Sequence, residues 1–428
     1  MSHPKKLRYI LLVGALLVAL TASTTAFAAG NPMTGDGRTL APDTQFYVPK
    51  VDHGAVMQIA SLTSSGDKAD ARLIKAMIST PQAVWFTGGT PKTVMQDVRA
   101  TVERAADKGE VPVLVAYNVP GRDCAQYSAG GAATGDAYRA WIAGFVAGLG
   151  NHKAVVILEP DGLALQPTDC GQPDTYDRVS LINGAAHALL ADPNASVYLD
   201  AGHSAWHNVA DMASRLVQGG VLDLNGFYLN TSNYQYTANQ IQYGTWIAEC
   251  IAYATQVAPG NYGCPDQYWN GGPLPAKIAE LLGEWQGVAL SPYGEWSDAS
   301  DDPALNTSGI NLRYANMLGG VQPTVHFVID TSRNGQGPWL PPAHPAGDAQ
   351  DWCNPPDRGL GLLPTANTGQ PLVDAYLWIK IPGQSDGQCY RWTSGPLDPA
   401  RGIQDPPAGQ WFPEMALELV KLANPPLP

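Results

Sequence analysis

The sequence predicts an α/β fold: a distorted parallel β/α barrel of seven strands, with its cleft at their carboxyl ends. Three observations carry that prediction. Short, almost continuously apolar runs alternate with helical patterns, as expected of a parallel sheet covered by helices. Seven such runs occur, enough to close or nearly close a barrel, with a doubly wound open sheet as the second reading. Six of the seven end in polar side chains, where α/β sheets bind their ligands.

Taken in order, Ala83–Phe86 is the first strand, followed by a helical pattern over Lys92–Lys108. Val111–Tyr117 precedes a loop and a helix at Thr134–Leu149, and "AVVILEP" precedes a helix near Asp174–Leu190. "ASVYLDAG" leads to a helix over Trp206–Val217. Asn225–Asn230, Thr324–Asp330 and Asp374–Lys380 complete the set. The least regular stretch, Ala238–Gly320, reads as a helical insertion with a long loop.

Of 428 residues, 45% are hydrophobic and only 15% charged, against roughly 25% charged in an average domain. The chain can therefore bury a large core. A net charge of −13 speaks against nucleic acid and anionic membranes as partners. Lys5, Lys6 and Arg8 precede the apolar stretch Tyr9–Leu20 and the small residues Ala26–Ala28. Residues 1–28 thus read as a secretory signal peptide, too short in its apolar part for a membrane span, and 29–428 as one catalytic domain of an extracellular protein. No carbohydrate-binding module is visible, and a monomer is expected. Six widely spaced cysteines, Cys124, Cys170, Cys250, Cys264, Cys353 and Cys389, with no CxxC, fit three disulfides in an oxidising compartment better than a metal site; fifteen pairings are open.

The polar strand ends hold the chemistry. "VAYNVPGRDC" ends in Arg122 and Asp123, "VILEPDG" in Glu159 and Asp161, and "VYLDAGHSAWHN" in Asp200, His203 and Trp206. The next three runs supply Asn230, then Asp330 and Arg333, then Lys380 and Asp386. Any one of these could be a helix cap or surface charge; six together are harder to explain so. There is no GxSxG elbow, no phosphate-binding GxxxxGK[ST] and no HExxH, since Ser204 stands where the last would need Glu. Carboxylates amid aromatics remain, the set that glycoside hydrolysis uses: one carboxyl kept protonated, a second negative group, and aromatic faces for sugar rings.

"YNVPGRDCAQYSAGG", "VVILEPDGL", "YLDAGHSAW", "VIDTSRNG", "WCNP" and "LWIKIPGQSDG" occur together and in order across nearly the whole chain after the leader. In this the sequence resembles glycoside hydrolase family 6, the inverting cellulases. The resemblance implies Asp161 as general acid, with Glu159 supporting it. Asp123 would raise the acid's pKa and help hold the water, and Asp386 is a proposed base whose role is disputed within the family. It also implies Tyr117 near the distorted sugar, and Trp85 and Trp352 as platforms on the non-reducing side. Trp206 and His203 fall on the leaving-group side, Lys380 binds a hydroxyl, and Ser128 sits in a loop that closes over the water. Asp200 and Asn230 are further cleft groups, Asp200 sugar-binding or electrostatic. Implied disulfides are Cys124–Cys170 and Cys353–Cys389, which leaves Cys250–Cys264. No cofactor or metal is implied; the partners are cellulose and cello-oligosaccharides.

Three departures stand out: Gln384 where many members have Glu, Val209 where some have a distant tryptophan platform, and a helix-rich insertion before "VHFVID" longer than in the short bacterial endoglucanases. Only 38 residues separate Asp123 from Asp161, without the extra segment of a tunnel-forming enzyme. The expectation is an endoglucanase. A cellobiohydrolase is the alternative, then a mixed-linkage or xyloglucan specialist, and last a cellulose-binding protein without catalysis.

Overall fold

The computed structural model describes residues 40–270, 287–343 and 348–428; the signal-peptide reading and part of the presumed insertion lie outside these. Strands β1 (Val84–Phe86), β2 (Val113–Ala116), β3 (Ala154–Leu158), β4 (Ala195–Asp200), β5 (Gly226–Leu229), β6 (His326–Asp330) and β7 (Val373–Leu377) form one sheet in chain order. Every neighbouring pair is parallel. The sheet curls until its edges nearly meet. Ala83 N donates to Trp378 O at 2.9 Å across the seam, and Trp85 Nε1 donates to Ile379 O at 2.8 Å. The β/α barrel expected from the sequence is therefore present, distorted and closed by single bonds rather than by a full ladder.

Period-2 alternation splits each strand between two cores. Val113, Val115, Val155, Ile157, Tyr198, Tyr228, Val328, Ala375 and Leu377 pack together inside the curl. Leu114, Ala116, Val156, Leu158, Val197, Leu199, Phe227 and Ile329 pack against helices outside it. With both faces buried, a strand has no polar face, which is why these runs are continuously apolar.

The outer layer comprises α3 (Pro91–Ala106), α4 (Gly135–Leu149), α5 (Arg178–Leu189), α6 (Val209–Gln218) and α7 (Thr237–Ala252). Thr90 caps α3 through Thr93 N, with Pro91 at the first position, where its missing N–H costs nothing. Val94, Val98, Val102 and Ala105 give α3 one buried stripe. Helix α4 lies close against it because Gly144 and Gly148 leave room: a Cβ at Gly144 would stand 2.2 Å from Pro91 O.

Helix α7 packs on α6 and on β6, the position of a crossover helix between β5 and β6. Beyond it, α8 (Ser308–Leu318) packs on α7. Helices α1 (His53–Ser65), α2 (Lys68–Ile78) and α9 (Pro413–Lys421) were not read from the sequence. Ile74, Met77, Trp378, Met415 and Leu419 make a third core there, beside the seam. Disulfides join Cys124–Cys170, Cys250–Cys264 and Cys353–Cys389. Among the described residues, no helix is long and apolar enough to cross a membrane.

Candidate active site

A cleft of about 970 Å³ opens at the carboxyl ends of the strands. Asp161, Asp123, Asp386, Tyr117, Trp85, Trp352, Trp206, His203, Lys380 and Ser128 all line it. Asp200 and Asn230 do not. Asp200 is buried behind the wall, its Oδ2 taking Ala164 N at 2.9 Å and its Oδ1 taking Gly202 N at 3.1 Å. Asn230 is also buried, donating to Asp330 O at 2.9 Å and accepting from Gln235 N at 3.0 Å. It braces the turn after β5 and does not face the cleft.

These groups lie where the chain past β2 and β3 turns abruptly, Asp161 just beyond β3 and Asp123 in a 3-10 turn over Asp123–Ala125. Glu159 (φ 50°), Asp161 (φ 61°) and Asp123 (φ 59°) all sit in the left-handed region, a cost of order 1–3 kcal/mol each that clusters at functional sites. Glu159 turns inward. Its carboxylate takes the backbone N–H of Asn118 at 2.9 and 3.0 Å and of Val119 at 2.9 Å, fixing the chain just past β2. Complete burial raises its pKa to about 7 against the pull of those N–H groups. Asp161, two residues on, turns outward into the cleft.

Burial, then the charges of Asp200 and of Asp123, push Asp161 well above the usual carboxylate range. No cation enters that balance. Asp123 is raised to about 6 by burial, opposed by a hydrogen bond from Ser128 N and by the neighbouring Arg122. Arg122 ties this loop down by donating to Thr87 O at 2.8 Å and Ser128 O at 3.0 Å, and its guanidinium lies 4.5 Å over the Tyr117 ring. Tyr117 meets Trp85 edge-on at 5.5 Å.

Asp386 has the opposite surroundings. Its Oδ2 takes Arg333 Nη1 at 2.9 Å, Asn354 N at 3.0 Å and Tyr234 OH at 3.1 Å; Lys380 Nζ stands 3.0 Å from Oδ1. Burial alone would raise its pKa, but Arg333 and Lys380 outweigh it and hold the carboxyl at about 2. On the other wall, burial and His207 press the pKa of His203 down to about 3, so the ring is neutral at ordinary pH. Its Nδ1 takes Ala205 N–H at 3.3 Å, which leaves the proton on Nε2.

Several residues in or behind the cleft escaped the sequence reading. Tyr127 lies between Trp352 (6.1 Å) and Tyr390 (6.2 Å), and its hydroxyl takes Tyr390 N at 3.1 Å. Asp52 receives Gln384 Nε2 at 2.9 Å, which supplies the partner of the substituted glutamine. Asn354 carries the Asp386 loop: its Oδ1 accepts Asp386 N at 2.8 Å and its Nδ2 donates to Ser385 Oγ, Gly387 O and Asp405. It stands in the quoted "WCNP", so a signal existed, but its role did not show. Among the described residues, one trio of possible metal ligands lies close together: Cys389, Asp398 and Asp405. It does not suit an ion, because Cys389 is in a disulfide and Asp398 is paired with Arg391 at 2.6 and 2.9 Å.

The model of the glycosyl hydrolases family 6 matches residues 41–423, most of the chain. The chain belongs to this family. Endoglucanase 1 of a Streptomyces species (strain KSM-9) is 33% identical over 90% of this chain and 80% of its own length. A probable 1,4-beta-D-glucan cellobiohydrolase C of Aspergillus niger is 28% identical over 94% of this chain and 79% of its own. Among solved structures, an endoglucanase from Mycobacterium tuberculosis, in complex with methyl-cellobiosyl-4-deoxy-4-thio-beta-D-cellobioside, aligns with TM-score 0.60 and 32% identity over 91% of this chain and 98% of its own. The family assignment makes this chain a glycoside hydrolase, and the cleft the place to look for its acid.

Proposed function

We propose that the chain is a secreted, monomeric, inverting β-1,4-glucanase that cuts internal bonds of cellulose. The observation that carries this is the environment of Asp161: a cleft carboxyl, raised by burial and two acidic neighbours. A carboxyl shifted in that direction favours its protonated form and can donate the proton to the departing glycosidic oxygen.

In this reading Asp123, at about 6, orients the attacking water beside the loop of Ser128. Asp386, clamped by two cations, serves as a fixed anion that holds Lys380 toward the hydroxyls. A carboxyl at about 2 has little proton affinity at neutral pH and is a weak general base. Neutral His203, with its Nε2 proton free to donate, and the Trp206 face hold the leaving-group sugars. Trp85 and Trp352 hold those on the other side, with Tyr117 under the sugar at the point of cleavage.

Internal cutting is favoured by the short Asp123–Asp161 segment and by relatives at 31–33% identity named endoglucanases. One contact favours the exo reading: Tyr127, from the loop after Asp123, bonds to Tyr390 in the loop after Asp386, and so ties together two segments beside the site. Carboxymethylcellulose separates the two. A steep fall in viscosity with few new reducing ends is expected; release of soluble cellobiose with little viscosity loss would assign chain-end action instead.

A further inference from the structure

Outside the cleft, Tyr268 and Trp269 are 47% and 49% exposed, although they are consecutive large aromatics. They are held rigidly. The buried Gln267 side chain donates to Ser204 O at 3.0 Å and His207 O at 2.8 Å, and Tyr268 OH donates to Trp206 O at 2.9 Å. The turn is therefore fixed to the loop that carries His203 and Trp206. Its far side is anchored by the Cys250–Cys264 disulfide and by buried Asn270, which donates to Asn306 O at 3.2 Å.

Trp269 borders a depression of about 530 Å³ that Asp266, Arg313 and Asn316 also line. The Arg313 guanidinium lies 4.2 Å over one face of Trp269. An arginine on one face stiffens the indole and directs an incoming apolar ring to what remains open. A flat indole beside a carboxylate, a guanidinium and an amide suits a pyranose, with an apolar face and equatorial hydroxyls.

We propose that Tyr268 and Trp269 form a second β-glucan contact surface on the leaving-group side of the molecule, outside the catalytic cleft. A glucan chain stacks on Trp269 and hydrogen-bonds to Asp266, Arg313 and Asn316. Continuity with the Trp206 loop selects that occupant, and the inference rests on the β-glucanase reading above. The surface would hold long or insoluble substrate near the cleft without touching short oligosaccharides bound there.

The test compares wild type, Trp269→Ala and Trp269→Phe. Adsorption to insoluble cellulose is measured in an Asp161→Asn background with cellotetraose filling the cleft, and kcat/KM on cellotetraose is measured in the active background. Trp269→Ala should weaken adsorption by roughly threefold or more, Trp269→Phe less, with cellotetraose turnover unchanged in both. Equal adsorption of all three, with normal cellotetraose turnover, overturns this surface alone. So does a self-association that Trp269→Ala abolishes while adsorption stays constant. A wild type that neither cuts nor adsorbs any β-glucan overturns the function and the surface together.

Discussion

Asp161 at the tip of β3 and Asp386 beyond β7 are the same residue in one cleft, with opposite fates. Asp161 has two acidic neighbours and no cation in its balance. Asp386 has Arg333, Lys380, Tyr234 and the Asn354 N–H on its oxygens. Both are desolvated, so burial does not separate them; the sign of the neighbouring charge does. The first is pushed toward its neutral form, the other is held as an anion. In the proposed reaction such a pair would set a proton donor and a fixed negative charge apart in one cleft, as a positively charged transition state requires.

The largest expected effect is at Asp161. Asp161→Asn should lower turnover of cello-oligosaccharides by about 10²–10⁴-fold, the usual contribution of general acid catalysis, while oligosaccharide affinity is retained in a calorimetric titration. Asp386→Asn tests the other half. It strands the fully buried Arg333 guanidinium, and removing one partner of a buried pair costs about 3–5 kcal/mol. Denaturant titration should show that loss directly; a variant as stable as wild type would mean the clamp contributes nothing to the fold.

The next effect is on pH dependence. With one negative neighbour removed, Asp161 gives up its proton more readily, so Asp200→Asn should move the alkaline limb of kcat/KM to lower pH. Asp200 does not line the cleft, which makes an unmoved limb strong evidence against this electrostatic link. The smallest effect concerns stability toward acid. The folded pKa of Asp386, about 2, lies below its unfolded value of about 3.9. Its contribution is therefore complete above about pH 4 and is lost as pH falls through about 2. Thermal melts over that interval should show a slope that Asp386→Asn lacks.

The strands were legible because burial on both faces left them no polar positions, and their tips were legible because carboxylates interrupted that pattern. Helix α1 was not, since Ala55 is its only fully buried residue and no apolar stripe marks it. Asp161 and Asp123 could be named from their motifs, yet the weight of Asp200 could not. That depends on Asp200 facing Ala164 N behind the wall, which residue spacing does not encode. Likewise Arg333 was visible as a polar strand end, whereas Tyr234 and Asn354 reach Asp386 from loops without periodicity. Cys250–Cys264 was left by elimination, and it closes the turn on which Tyr268 and Trp269 are displayed.

Asp161 is proposed to donate a proton to the leaving group. Asp161→Asn should therefore be assayed on cellotetraose and on 2,4-dinitrophenyl β-cellobioside, whose leaving group departs without protonation. Severe loss on the first substrate and near-normal bond cleavage on the second are expected of a proton donor. Equal loss on both would contradict that role, because the residue would then serve some step other than protonation.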